Sequence, residues 1–141
     1  MKWYTGKIIA GYGVASGRAS DCPFPGGSIR QQQPYFLAQG VDLSPYFAGT
    51  LNVDLAPHIP HPAGYVFDGN LRWFGDLEEH FILSRVELTV NGRHFSGLWY
   101  YPDPATKVDH FQSASVVELL MPWIEGLDSG DLVTVRFCAK T

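Results

Sequence analysis

The chain has 141 residues, of which 45% are hydrophobic and 17% are charged, and this composition predicts a single folded domain over residues 1–141. The net charge is −4 and the ten basic residues stand singly along the chain, which argues against nucleic acid as a partner. No apolar run is long enough to span a membrane, and the two cysteines fit reduced thiols, so we predict a cytoplasmic protein. The sequence leaves the oligomeric state open.

The N-terminal third begins with a short strand and contains the main helix signal. Residues Lys7–Ala10 predict the strand, and the glycine-rich, irregular stretch Gly11–Gly27 that follows could wrap a ligand. Pro34 suits the first position of a helix, and Gly40 suits the left-handed residue that ends one. We therefore predict one short helix over residues 34–39.

The second predicted strand, Leu51–Leu55, carries a possible metal site. Thr50, Asn52 and Asp54 share one face of this strand, and their side chains are expected to lie outside the core. A hydroxyl and an amide oxygen side by side suit a hard cation such as Mg²⁺, which retains water and accepts phosphate oxygens as further ligands. The alternative is an ordinary half-exposed strand with alternating polar residues.

The prolines and glycines between Ala56 and Trp73 predict a long surface loop. Two histidines in this loop, His58 and His61, are of a residue type that binds transition metals. The alternative for them is a rigid, solvated proline loop.

The C-terminal half predicts a β-hairpin and two more strands. Val86, Leu88 and Val90 alternate with polar residues before Asn91–Gly92, a dipeptide that favours a type I′ turn. Further strands are expected at residues 116–121 and 133–137. Six short strands and one helix predict a mainly β protein with a small six-stranded barrel.

Several motifs follow one another in the order seen in the CTP-dependent riboflavin kinases of archaea, and the chain resembles that family over most of its length. The matching segments are Gly11-Tyr12-Gly13, the helix ending at Gly40 before Pro45-Tyr46, Gly49-Thr50-Leu51-Asn52-Val53, and Val117–Pro122 followed by Leu127–Val133.

The resemblance implies a cradle-loop barrel that transfers the γ-phosphate of CTP to riboflavin and forms FMN. It implies that Thr50 and Asn52 hold Mg²⁺ and that Glu118 and His110 contact the flavin. It also implies a nucleotide-binding segment that consists of Gly11, Tyr12, Gly13, Val14, Ala15 and Ser16. It assigns no catalytic base.

The segment after Pro122 differs from the family pattern. Where the family carries basic residues that contact the nucleotide, this chain has Trp123-Ile124-Glu125-Gly126. Two alternatives therefore stay open. One is a non-catalytic module that binds flavin or nucleotide, and the other is an enzyme that uses the barrel for another polar substrate, with His110, His58 or His61 as acid or base.

Overall fold

The computed structural model describes residues 2–10, 28–62, 66–103 and 114–138. Within these ranges no helix is long and apolar enough to cross a membrane. The same ranges contain seven strands and one helix: β1 (Trp3–Ala10), α1 (Ser28–Ala38), β2 (Leu51–Asp54), β3 (Phe67–Phe74), β4 (Leu77–Val90), β5 (Arg93–Pro102), β6 (Val116–Leu120) and β7 (Leu132–Phe137).

Six of these strands form a closed antiparallel barrel. Their hydrogen-bonded order is β4-β5-β6-β2-β1-β7, and the ring closes because β7 also pairs with β4, from Val86 opposite Phe137 to Thr89 opposite Thr134. The seventh strand, β3, lies outside the ring and pairs with β4. The expected mainly β fold, a six-stranded barrel with one short helix, is confirmed.

The long hairpin of β4 and β5 forms the largest pairing in the barrel, and its turn is the one that the sequence predicted. Asn91 and Gly92 have φ angles of 50° and 73°, and Val90 is paired with Arg93 on either side of them. Two successive positive φ angles define a type I′ turn, whose twist matches that of the flanking strands. The hairpin prediction is therefore confirmed.

Alternate side chains of the barrel strands fill its interior. Val53, Leu88, Leu119 and Val135 are among the residues of this inner core, and none of the four has measurable exposure to solvent. Because successive side chains of a strand point to opposite faces, the residues between them lie on the outer surface of the barrel. The polar residues of β2 and β6 belong to this outer surface.

A second apolar layer lies outside the barrel, where α1 covers the outer face of β3, β4 and β5. Ile29 and Phe36 of α1 are fully buried, and the spacing of Ile29, Gln32 and Phe36 places all three on one stripe of the helix. The strand residues beneath this stripe are Leu71, Phe81, Leu83, Leu98 and Tyr100. Burial of one such side chain stabilises the fold by roughly 1.5–3 kcal/mol.

The helix begins earlier than the sequence predicted. It starts at Ser28, and Pro34 lies inside it, so the assignment of Pro34 to the first helical position is wrong. Burial of the apolar stripe stabilises the helix and offsets the free energy lost with the backbone hydrogen bond that Pro34 cannot form. The end is as predicted: Gly40 has a φ of 87°, and the N–H groups of Gly40 and Val41 donate to the carbonyl oxygens of Leu37 and Phe36.

The predicted loop between Ala56 and Trp73 is correct only for its first part. Residues 55–62 have no regular structure, but Phe67–Phe74 forms β3, and β4 begins at Leu77, before the predicted hairpin. Gly69 and Asn70 disfavour a strand locally, but pairing with Phe81 and His80 of β4 outweighs that preference.

Candidate functional site

Three polar side chains that the sequence singled out meet on the outer surface of the barrel. The hydroxyl oxygen Oγ1 of Thr50 lies 3.4 Å from the amide oxygen Oδ1 of Asn52 and 3.3 Å from the carboxylate oxygen Oε1 of Glu118. We refer to Thr50, Asn52 and Glu118 as the oxygen cluster. Its members come from two separate parts of the chain, since Glu118 follows Thr50 by 68 residues.

The pairing of the central strands creates this cluster. Asn52 of β2 is directly opposite Glu118 of β6, and on its other side it is opposite Ala10 of β1. The register of β1 shifts between Ile8 and Ala10, as in a β-bulge, a feature that often re-aims the chain beside functional sites. The chain therefore enters the segment 11–27 beside Asn52.

Burial in the oxygen cluster differs from the expectation. Asn52 and Glu118 are half-buried, but Thr50 is only 3% exposed. Thr50 faces out of the barrel core toward Asn52 and Glu118, but it is covered there and is therefore buried instead of exposed. A buried hydroxyl must have a hydrogen-bond partner, and Asn52 and Glu118 provide two acceptors.

The donor set of the oxygen cluster fits a hard divalent cation. Hydroxyl, amide and carboxylate oxygens are the ligands that Mg²⁺ and Ca²⁺ take in proteins, and Mg²⁺ commonly uses few protein ligands together with water and phosphate oxygens. Adjacent oxygens around an octahedral Mg²⁺ are about 2.9 Å apart. Shifts of a few tenths of an ångström would bring Thr50 and Asn52 to that spacing from the 3.4 Å observed.

Asp54 is on the same strand as Asn52 but has other partners. Its Oδ1 accepts hydrogen bonds from the backbone N–H of Ala56, at 2.9 Å, and from the hydroxyl of Ser115, at 2.8 Å. These bonds, with that from Ala56 the stronger influence, lower the pKa of Asp54. Asp54 thus fixes the end of β2 and its connection to β6.

Behind the oxygen cluster lies a buried polar pair that the sequence analysis did not identify. Tyr100 of β5 is opposite Glu118 of β6, and its hydroxyl donates a 2.7 Å hydrogen bond to Oε1 of Gln32 on α1. Burial, followed by the negative charges of Glu79 and Glu118, raises the pKa of Tyr100 well above its ordinary value. Tyr100 is therefore a neutral phenol, and it connects the helix to β5, the strand next to the one that carries Glu118.

An exposed aromatic side chain stands just beyond β6. Trp123 is 47% exposed, and its ring packs at a tilt on that of Phe47, with 4.8 Å between the ring centroids. Its indole N–H donates to the carboxylate of Glu125. Because the backbone N–H of Phe47 bonds to the carbonyl of Met121, the segments that lead to Thr50 and away from Glu118 are held together.

The remaining predicted site residues give a mixed result. His58 stacks in parallel on Tyr4, with 3.8 Å between the ring centroids, and His61 is exposed. In the part of the chain that the structure describes, no group of three or more His, Cys, Asp or Glu side chains is arranged to hold a metal. His110 and the segment Gly11–Ser16 lie outside the described residues.

Comparison with known proteins adds no family to these findings. No protein-family model matches the chain, and a search of curated proteins finds no significant match.

Proposed function

We propose that the protein is a riboflavin kinase-like phosphotransferase that moves the γ-phosphate of a nucleoside triphosphate, CTP by resemblance, to riboflavin in an Mg²⁺-dependent reaction. The observation that carries this proposal is the oxygen cluster. The resemblance assigns Thr50 and Asn52 to the metal and Glu118 to the flavin of one kinase site, and the oxygens of Asn52 and Glu118 lie 3.4 Å and 3.3 Å from Thr50 Oγ1.

In this proposal Thr50 and Asn52 bind the cation, which when bound supplies positive charge to the transferring phosphate. The buried position of Thr50 and the pairing of Asn52 between two strands hold their oxygens in place. Phosphoryl transfer depends mainly on such positioning and on charge neutralisation.

The chemical step is a single displacement. The 5′-hydroxyl oxygen of riboflavin attacks the γ-phosphorus and releases its proton to water, while the bond from the γ-phosphorus to the bridging β-phosphate oxygen breaks and the nucleoside diphosphate leaves with that bond's electron pair. The described residues include no assigned base, and a loose transition state makes proton removal before attack unnecessary.

The nucleotide is proposed to lie beside β1. Ala10 is opposite Asn52, and Gly11 follows Ala10 directly in the sequence. The contacts of Gly11–Ser16 with the nucleotide, the contact of His110 with the flavin, and the cytoplasmic location stay predictions.

The test is to incubate the purified protein with riboflavin, Mg²⁺ and each of CTP, ATP, GTP and UTP in turn, and to follow FMN by chromatography. FMN is expected with at least one donor and not after chelation of the metal. Thr50→Val and Asn52→Ala should each lower turnover on the order of a hundredfold. Without the cation the phosphates are misplaced, and a reacting group misplaced by about 1 Å can react on the order of a hundredfold more slowly.

Matched controls are Thr5→Val on β1 and Asn70→Ala on β3, which remove the same groups at exposed positions. Both control variants should keep the wild-type rate. Formation of FMN at wild-type rates by Thr50→Val and Asn52→Ala would remove the metal assignment, and absence of FMN with every donor would contradict the kinase proposal.

A second candidate is a non-catalytic flavin-binding module. The observation that favours it is the carboxylate of Glu125, held by the Trp123 indole where the resemblance implies basic contacts to the nucleotide. For this candidate, riboflavin or FMN should bind in the presence of a chelator, measured by quenching of flavin fluorescence, and no donor should yield FMN.

A further inference from the structure

The hydroxyl of Thr50 has a single proton and two acceptors within reach. Asn52 Oδ1 is 3.4 Å from Thr50 Oγ1, and Glu118 Oε1 is 3.3 Å from it. A hydroxyl donates one hydrogen bond and can accept two. The choice of acceptor therefore decides which lone pairs of the oxygen cluster stay available to a ligand.

The carboxylate of Glu118 is the stronger of the two acceptors. Hydrogen bonds to an ionised acceptor are roughly twice as strong as those between neutral groups. Thr50 is 3% exposed, so solvent competes little for its proton, and the weaker dielectric screening of a buried site increases the advantage of the charged acceptor.

The position of this proton has a consequence for cation binding. If Thr50 donated to Asn52, the proton would lie between the two oxygens that must both face the cation. When Thr50 donates to Glu118, its own lone pairs and those of Asn52 Oδ1 are free to converge on one cation. Two converging acceptors repel each other until a cation or a donor lies between them.

We propose that Glu118 is a positioning residue for cation binding. Its carboxylate accepts the hydrogen bond from the Thr50 hydroxyl and so orients Thr50 and Asn52 as a pair of ligands. This role differs from the direct flavin contact that the resemblance implies for Glu118. The inference rests on the proposed function for the place of the cation in phosphoryl transfer, but the binding of the cation itself can be measured without turnover.

The experiment measures binding of Mn²⁺ alone, by the electron paramagnetic resonance signal of the free ion, in the wild-type protein and in Glu118→Gln. Glutamine has nearly the same shape but is a weaker acceptor, and its amide N–H₂ can donate to Thr50 and so send the hydroxyl proton toward Asn52. Glu118→Gln should weaken Mn²⁺ binding about tenfold or more, as expected for a residue that orients a metal ligand.

Variants of Thr50 and a matched control separate this role from a purely structural one. Thr50→Ser keeps the hydroxyl and should retain Mn²⁺ binding, whereas Thr50→Val should lose it. Glu78→Gln makes the same substitution at an exposed position on β4, where Glu78 faces Arg72, and should bind Mn²⁺ like the wild type. Urea unfolding of each variant verifies that it is folded.

Riboflavin binding without metal, measured by fluorescence quenching, gives the second readout. The proposal expects Glu118→Gln to bind riboflavin like the wild type, whereas a direct flavin contact predicts a loss. Mn²⁺ binding by folded Glu118→Gln at wild-type affinity, or no Mn²⁺ binding by the wild-type protein, would overturn the inference. If no donor yields FMN but Glu118→Gln still weakens Mn²⁺ binding, the kinase proposal fails and this inference stands.

Discussion

The hydroxyl of Tyr100 on β5 donates a 2.7 Å hydrogen bond to the side-chain oxygen of Gln32 on α1, and both residues are buried. This bond joins the helix to the outer face of the barrel at the strand beside Glu118. It is a polar contact inside an otherwise apolar layer, so loss of one partner leaves the other without a hydrogen bond in a site that water does not reach.

Tyr100→Phe should lower the free energy of unfolding by about 1–3 kcal/mol, because the oxygen of Gln32 loses its donor. Urea unfolding followed by circular dichroism measures the change. Tyr35→Phe on the exposed side of α1 is the control and should change stability by less than about 0.5 kcal/mol. The double variant Tyr100→Phe with Gln32→Leu should recover part of the loss; equal stability of Tyr100→Phe and wild type would contradict the argument.

Position 97 requires a glycine because β5 and β6 approach each other closely there. Its backbone conformation alone does not require one. A Cβ atom at Gly97 would lie 2.2 Å from the carbonyl oxygen of Leu120 and 2.2 Å from Sδ of Met121. Because the carbonyl belongs to the backbone of the barrel, β5 and β6 would have to move apart. Gly97→Ala should therefore cost about 3 kcal/mol or more in urea unfolding.

Gly69→Ala on β3 is the matched control for Gly97→Ala. The nearest atom to its added Cβ is Cζ of Phe67, at 3.0 Å, on a side chain that can rotate. The loss of stability should be within about 1 kcal/mol, since alanine also reduces the entropy of the unfolded chain. Similar losses in the two variants would mean that the barrel strands separate more easily than their packing suggests.

Trp123 should contribute to ligand binding if the proposed function is correct. Its ring is exposed and packs on Phe47, three residues before Thr50, and stacking of a base on an aromatic ring is worth about 1–3 kcal/mol. Trp123→Ala should therefore weaken nucleotide or riboflavin binding about tenfold, measured by calorimetry. Trp3→Ala is the control, because the guanidinium of Arg136 on β7 already covers the face of the Trp3 ring. Equal affinities in both variants and in the wild type would exclude a stacking role for Trp123.

Local chemistry determined which parts of the fold could be predicted. The Asn91–Gly92 turn and the end of α1 at Gly40 depend on positive φ angles that few residues adopt, so each is readable from a short segment. The start of α1 and the strand β3 depend on burial against β4 and β5, and no local pattern reports that burial.

The same distinction applies to the oxygen cluster. Thr50 and Asn52 are two residues apart at the start of β2 and could be paired from their spacing, whereas the contact of Thr50 with Glu118 depends on the register between β2 and β6. Tyr100 and Gln32 were missed for the same reason, since a single tyrosine and a single glutamine carry no signal until the helix is placed on the barrel.

The last prediction concerns His80 on β4, whose two ring nitrogens both contact carboxylates. Nδ1 lies 3.0 Å from Asp103 and Nε2 lies 2.6 Å from Asp68 on β3. Hydrogen bonds to Asp103 and then to Asp68 raise the pKa of His80 above its ordinary value. A protonated His80 thus connects β3 to β4 and to the end of β5.

The sign of the pH dependence follows from this raised pKa. Stabilisation by the charged imidazole is fully present below the pKa of an unfolded histidine, about 6.5, and is lost as the pH rises through the higher pKa of the folded state. Between about pH 5 and pH 8.5 the free energy of unfolding should therefore fall more in the wild type than in His80→Gln, measured by urea unfolding. Asp103→Asn and Asp68→Asn should each lower the pKa of His80, measured by proton NMR titration, because a hydrogen bond to each carboxylate raises it. A pKa for His80 that is the same in all three proteins would show that neither carboxylate controls its charge.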